Sequence, residues 1–203
     1  MARIAPRLST AWTRALGISS AAVGVAASAA VVWHSSYSAF SATTANGTNN
    51  WAAGSVILVD DDSSTVMFNA SNLKPTSTGT KCIAVTSNGT LPSTVKLYGT
   101  SYTTTNALAS SLNLTVTQGT GGGFSSCTGF TPLGTGATVY NGTLAGFAAA
   151  STNFSNGQGS WAPTGTPGEV RTFQFVWTLD PNMPNSAQSG TAAIGFTWEA
   201  QNS

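Results

Sequence analysis

The stretch Thr172–Leu179, TFQFVWTL, decides the fold, because large apolar side chains alternate with polar ones along it. Phe173, Phe175 and Trp177 share one face with the final leucine, and the residues between them are mostly polar. A period of two predicts a strand that buries one face and exposes the other. The range 194–200, IGFTWEA, repeats the pattern and predicts a second half-buried strand.

Shorter segments extend this pattern through the chain. Asn88, Gly89 and Pro92 mark a turn, and residues 144–150 are the only stretch that favours a helical turn. About eight strands at this spacing, without an amphipathic helix of normal length, predict an all-β fold. We expect an antiparallel two-sheet β-sandwich that is jelly-roll-like. The additional strands are predicted at 55–59, 65–69, 81–86, 94–98, 112–117 and 138–140.

The first residues have the features of an export signal. Met1–Arg14 is basic without an acidic residue, and Ala15–Val32 is an uncharged run rich in Ala and Val. Ser36 and Ser38 form a small-x-small cleavage site that would release a chain beginning at Ala39. An uncleaved N-terminal anchor is the alternative, because the apolar run approaches the length that spans a bilayer. The predicted organisation is a signal peptide at 1–38, a mature N-terminal segment at 39–54 and a β-sandwich domain at 55–203.

The mature chain would carry few charges. Its net charge would be 4 − 6 = −2, and it would lack the single histidine, His34, which precedes the cleavage site. Such a chain has no basic face for nucleic acid or for an anionic membrane. We expect a secreted or cell-surface protein that contacts the membrane only through its leader before cleavage. The charged residues are Lys74, Lys81, Lys96, Arg171, Asp60, Asp61, Asp62, Glu169, Asp180 and Glu199.

Motifs for catalysis are missing from the mature sequence. Without histidine, neither a Ser-His-Asp nor a Cys-His arrangement can form, and the sequence has no zinc-ligand spacing. The glycine run 121–123 lacks the lysine and the helix that a phosphate-binding loop requires. Glu169, Asp180 and Glu199 are interpreted as solvated surface acids rather than as a catalytic pair. We therefore expect no enzymatic activity, no cofactor and no metal.

Two further features allow more than one interpretation. Asp60, Asp61 and Asp62 follow a predicted strand, and three carboxylates could bind calcium, but a solvated turn fits the spacing better. Cys82 and Cys127 are expected to form a disulfide because the chain is exported, with two free thiols as the alternative. If Ile83 faces the core, Cys82 faces outward, and the bridge would hold the glycine-rich loop against the outer surface of the sheet.

Three stretches resemble a known family: AFSATTANGTNNWAAGSVILV at 39–59, FNASNLKPTSTGTKCIAVTSNGTLPSTVKLYG at 68–99 and GTAAIGFTWEAQ at 190–201. After a leader, they are similar to the TasA/camelysin group of exported Gram-positive fibre and biofilm-matrix proteins. The chain departs from the pattern at Thr76, where a glycine usually follows the Leu-Lys-Pro turn. The cysteine pair lies outside the pattern and resembles an actinobacterial-type branch.

The resemblance implies a jelly-roll subunit that polymerises head to tail into extracellular fibres. The mature N-terminal segment would leave its own subunit and complete a sheet of the next by strand addition. Phe40 would anchor this donor strand as its only large apolar side chain. The partner would be the protein itself, with cell-surface or matrix components as further partners. The implied donor residues are Ala39, Phe40, Ser41, Ala42, Thr43, Thr44 and Ala45.

Two other functions compete with the fibre. One is a monomeric carbohydrate-binding or adhesion module, with Trp51, Tyr98, Tyr102 and Trp161 as stacking residues, although aromatic residues of this size more often pack in a core. The other is a camelysin-type metalloendopeptidase, for which the mature sequence offers no histidine.

Overall fold

A computed structural model of the protein describes residues 53–202. The leader, the cleavage site, the donor segment Ala39–Ala45 and Trp51 lie outside the described residues. Three short 3-10 helices occur at Leu108–Ser110, Phe154–Asn156 and Asn185–Ala187. The strands are β1 (Leu58–Asp60), β2 (Thr78–Ser87), β3 (Ser93–Thr104), β4 (Leu112–Thr120), β5 (Thr131–Pro132), β6 (Thr138–Thr143), β7 (Gln158–Trp161), β8 (Glu169–Leu179) and β9 (Ala192–Asn202), and the α-helix is α1 (Leu144–Ala150).

The strands form two antiparallel sheets, as predicted. The large sheet has six strands in the order β1-β2-β8-β4-β5, with β6 also paired to β4. The small sheet has three strands in the order β7-β3-β9. From β6 to β9 each consecutive strand lies in the opposite sheet, which agrees with the predicted jelly-roll-like sandwich. No α-helix among residues 53–202 is long and apolar enough to cross a membrane.

The core lies between the sheets and is rich in aromatic side chains. Phe173 and Phe175 of β8 are fully buried, which confirms the pattern of alternation in this strand. The ring centroid of Phe175 lies 4.7 Å from that of Phe196 and 6.0 Å from that of Trp198, both on β9. Phe173 packs between Trp198 and Trp161 of β7, at 5.4 and 6.4 Å. Residues 144–150 form α1, which places Phe147 in the same core.

The strand predicted at 65–69 is wrong. Ser63 and Ser64 have positive φ angles, and the Thr65 N–H donates to the Asp62 carbonyl in a turn. Phe68 then packs against the core, with its ring edge-on to that of Trp177 at a centroid distance of 6.4 Å. Burial of these apolar side chains outweighs the local strand propensity.

A tight turn precedes β2 at the position where the family pattern has a glycine. The Ser77 N–H donates to the Lys74 carbonyl at 2.9 Å, with Pro75 and Thr76 as the central residues. Thr76 has a φ of 69°, as the third position of a type II turn requires. A β-branched residue is strained in this region of φ, whereas glycine is not.

Replacing Thr76 with glycine should therefore stabilise the protein. We expect Thr76→Gly to raise the free energy of unfolding by about 1 kcal/mol, because relief of the left-handed strain exceeds the added entropy of the unfolded chain. Urea denaturation would measure the change. The control Thr80→Gly, within β2, should instead lower stability by about 1 kcal/mol. A loss of stability in Thr76→Gly would contradict the assigned turn.

Candidate assembly surfaces

The outer edge of β9 pairs with no strand among residues 53–202. This edge is eleven residues long, and its sequence, AAIGFTWEAQN, contains no proline and no lysine. Proline, lysine and short length are the usual devices that keep a sheet edge from pairing with another chain. Glu199 is the one charged residue on this strand. Within the described part of the chain, the outer edge of this long strand therefore has backbone hydrogen-bonding groups without a strand partner.

The core beside this edge is incompletely covered. Ile194, Phe196 and Trp198 point into the sandwich, yet each remains partly exposed. On β8, in the middle of the large sheet, Phe173 and Phe175 are at most 2% exposed. The difference arises because three strands of the small sheet face six of the large one. An added strand at the β9 edge would both pair with free backbone groups and cover these side chains.

The four aromatic residues considered for sugar stacking are not brought together. Trp161 is 5% exposed and belongs to the core. A register shift between Thr100 and Thr103 in β3, with a positive φ at Ser101, accompanies the packing of Tyr102 against the core. Tyr98 lies on the outer face of the small sheet. Trp51 is outside the described residues, so the structure offers one surface stacking residue of the four.

Tyr98 belongs to a small polar network on that outer face. Its hydroxyl donates to Glu199 Oε2 at 2.8 Å, and Gln201 Nε2 donates to Glu199 Oε1 at 2.8 Å. These bonds from Gln201 and Tyr98 lower the pKa of the Glu199 carboxyl. The bond to the carboxylate also raises the pKa of Tyr98. Glu199 is thus a surface carboxylate held by its neighbours.

The other two acids considered for catalysis are apart from Glu199. Glu169 begins β8, and its Oε1 accepts from the Thr164 N–H at 2.7 Å and from the Thr166 N–H at 3.1 Å. Burial alone would raise the pKa of Glu169, but the hydrogen bonds from this loop lower it overall. Asp180 follows the opposite end of β8 and accepts from the Asn182 N–H. Each carboxylate therefore organises its own loop.

A disulfide joins Cys82 and Cys127, which is the pairing that the sequence favours. Ile83 faces the core, and Cys82 lies on the opposite face of β2. The cysteine is nevertheless 1% exposed, and Thr172 on the same face of β8 is equally buried. The bridge anchors the loop between β4 and β5 to the outer surface of the large sheet. Such a bond is typical of proteins in oxidising compartments.

Asp61 connects the same loop to the edge of β2. Its Oδ1 accepts from the Ala84 N–H and its Oδ2 from the Phe124 N–H, both at 2.8 Å. The first bond continues the pairing of β1 with β2 beyond Asp60, where β1 ends. Gly123 allows this approach, because a Cβ at that position would lie 2.5 Å from Asp61 Oδ2. The glycine run is therefore explained by a closely packed loop.

The neighbouring acids have different environments. Burial raises the pKa of Asp60, and hydrogen bonding and repulsion from the Asp62 carboxylate raise it further. Asp62 Oδ1 accepts from the Ser64 N–H in the turn that was expected. Within residues 53–202, no three histidine, cysteine, aspartate or glutamate side chains lie close enough together to hold a metal ion.

No protein-family model and no curated protein matches the chain at a significant level. The functional interpretation therefore depends on the geometry of the described residues. The edge position of β9 is not predictable from alternation, which shows the face that a strand buries but not where the strand lies in a sheet. The bridging role of Asp61 has no sequence signal either, since no local motif indicates its two distant N–H donors.

Removing the Asp61 carboxylate should loosen the junction of β2 and the loop. We expect Asp61→Asn to lower the free energy of unfolding by about 1 to 2 kcal/mol, because an amide offers only one acceptor oxygen to two N–H groups. Chemical denaturation would measure the loss. Asp62→Asn is the matched control, since asparagine retains the acceptor for the Ser64 N–H. Equal effects of the two changes would contradict the bridging role.

The disulfide should contribute substantially to stability. We expect the double change Cys82→Ser and Cys127→Ser to lower the free energy of unfolding by about 4 kcal/mol, because an open loop leaves the unfolded chain with more entropy. Thermal unfolding of the oxidised protein, the reduced protein and the double variant would test this. Reduced wild type should match the variant. A midpoint unchanged by reduction would contradict the prediction.

Proposed function

We propose that the protein is an exported structural subunit that polymerises into extracellular surface or biofilm-matrix fibres. The mature N-terminal segment Ala39–Ala45 of one copy adds as a strand to the β9 edge of the next. The observation that carries this proposal is the long edge of β9, which pairs with no strand among residues 53–202 and lies beside partly exposed core side chains. The role is structural and requires neither a cofactor nor catalysis.

Strand addition suits the chemistry of both partners. Backbone hydrogen bonds along β9 supply affinity, and pockets between alternate side chains supply specificity. The donor segment is AFSATTA, uncharged and β-tolerant, with Phe40 as its large apolar residue. Phe40 would pack beside Phe196 or Trp198 and complete the cover of the core. The contact is heterologous, so it does not have to close and can propagate as a filament.

The resemblance to the TasA/camelysin group supports the same function. The family pattern has glycine where this chain has Thr76, and Thr76 adopts the left-handed conformation that favours glycine. The turn is therefore compatible with the family pattern despite the substitution. The disulfide is consistent with an exported location. Cell-surface and matrix components are proposed as further partners of the fibre.

Negative-stain electron microscopy of two chains at matched concentration would test the proposal. The chain beginning at Ala39 should form filaments, whereas a chain beginning at Trp51 should remain monomeric, because it lacks the donor strand. Residues 52–203 form one compact unit, so the shorter chain retains the sandwich. A third chain, Phe40→Ser, should polymerise more weakly than the full-length mature chain.

Controls separate assembly from folding. Circular dichroism and the unfolding midpoint of the three chains should agree when each is measured as a monomer. An excess of a synthetic peptide with the sequence of residues 39–45 should block filament growth by occupying the β9 edge. Absence of filaments from the chain beginning at Ala39, across salt and pH, would refute the proposal.

A further inference from the structure

Exposed aliphatic side chains gather at one corner of the large sheet. Across residues 53–202, four large apolar side chains are exposed, and three of them, Ile57, Val59 and Val170, lie together. Val59 pairs with Thr86, and Thr86 pairs in turn with Val170, so these residues form one row across β1, β2 and β8. We refer to Ile57, Val59 and Val170 as the aliphatic patch.

The row lies on the outer face of the large sheet. Val85 and Ser87 flank Thr86 along β2 and are buried, so Thr86 and its cross-strand partners point outward. Ile57 precedes β1 by one residue and shares the face of Val59 by strand alternation. The exposed fractions are 45% for Ile57, 52% for Val59 and 50% for Val170. Clustered apolar exposure of this kind marks an interaction surface more often than isolated exposure does.

The patch lies where the N-terminal segment joins the sandwich. Ser55 already pairs with the body of the protein, because its carbonyl accepts from the Thr90 N–H at 2.8 Å. Nine residues, 46–54, separate this anchor from the end of the proposed donor strand. The ten Cα–Cα steps from Ala45 to Ser55 span at most about 35 Å when fully extended. The eleven residues of β9 are about 36 Å long.

The short connection restricts where the acceptor can lie. Its β9 edge must come within about 35 Å of Ser55, a distance about equal to the length of β9 itself. The acceptor copy is therefore held near the place where the donor segment joins the sandwich, and the aliphatic patch begins two residues after Ser55. We infer that Ile57, Val59 and Val170 form a second contact between successive copies of the chain, packing against the acceptor that holds the donor strand. This inference rests on the proposed function.

Charge favours a second copy over a membrane as the occupant. Asp60, Asp61 and Asp62 follow Val59 directly, and an anionic lipid surface would repel them. The patch itself is uncharged. Its burial against a protein surface of low charge removes aliphatic groups from water without desolvating an ion.

Polymerisation of a triple variant would test the inference. Ile57→Thr, Val59→Thr and Val170→Thr together keep branched side chains that favour strands while making the patch polar. In the chain beginning at Ala39, we expect a critical concentration for filament formation about tenfold above that of the wild type. Val66→Thr is the control, because Val66 is 71% exposed but lies outside the patch, in the loop between β1 and β2.

A second variant tests the same contact with a single substitution that the fold should tolerate. Val59→Lys places one charge on an edge strand, where lysine is well tolerated, and should raise the critical concentration in the same direction. Sedimentation would give the critical concentration, and thermal unfolding below it would show that each monomer is folded. Wild-type filaments together with unchanged critical concentrations in both variants would overturn the second contact alone. If the wild type forms no filaments, the proposed function fails and this contact fails with it.

Discussion

The packing of Phe175 against Phe196 and Trp198 is the interaction on which the rest of the structure depends. Phe175 lies in the centre of the large sheet, and its two partners lie on the edge strand of the small sheet. The core is thus completed by side chains from a strand that is itself incompletely covered. A change that displaces β9 would expose the centre of the sandwich. The stability of the fold therefore depends on the position of this edge strand.

The edge of β2 in the large sheet and the edge of β9 in the small sheet are covered to different extents. At the edge of β2, a short strand and then the Asp61 carboxylate occupy backbone N–H groups, and the disulfide anchors a loop close by. The edge of β9 has no comparable cover among the residues that the structure describes. Natural proteins usually protect exposed edges, because a free edge invites pairing with other chains. A long, weakly charged edge without proline lacks these protective features, and the proposed assembly is based on this property.

The alternation of apolar residues was sufficient to predict the fold class. TFQFVWTL and IGFTWEA identify the two strands that form the centre of the core, and their buried faces agree with the structure. Alternation failed at 65–69, because Phe68 packs against Trp177 from an irregular segment while Val66 stays exposed. Sheet order was beyond prediction, since the pairing of β2 with β8 joins segments about ninety residues apart in the sequence. The edge position of β9 depends on that strand order, so it was equally unpredictable from the sequence.

The candidate site was predictable only in part, because different signals determine its components. The predicted export of the chain was enough to favour the Cys82–Cys127 disulfide. The role of Asp61 was not predictable, because its two N–H donors lie in β2 and in a distant loop. The aliphatic patch has no sequence signal either, since only the register of three strands places Val59 and Val170 in one row, on either side of Thr86. A chain with so few charges gains solubility from threonine, serine and asparagine, whose hydroxyl and amide groups resist association less than charges do. In the proposed assembly, the exposed aliphatic residues and the β9 edge would direct association to a particular surface of such a chain.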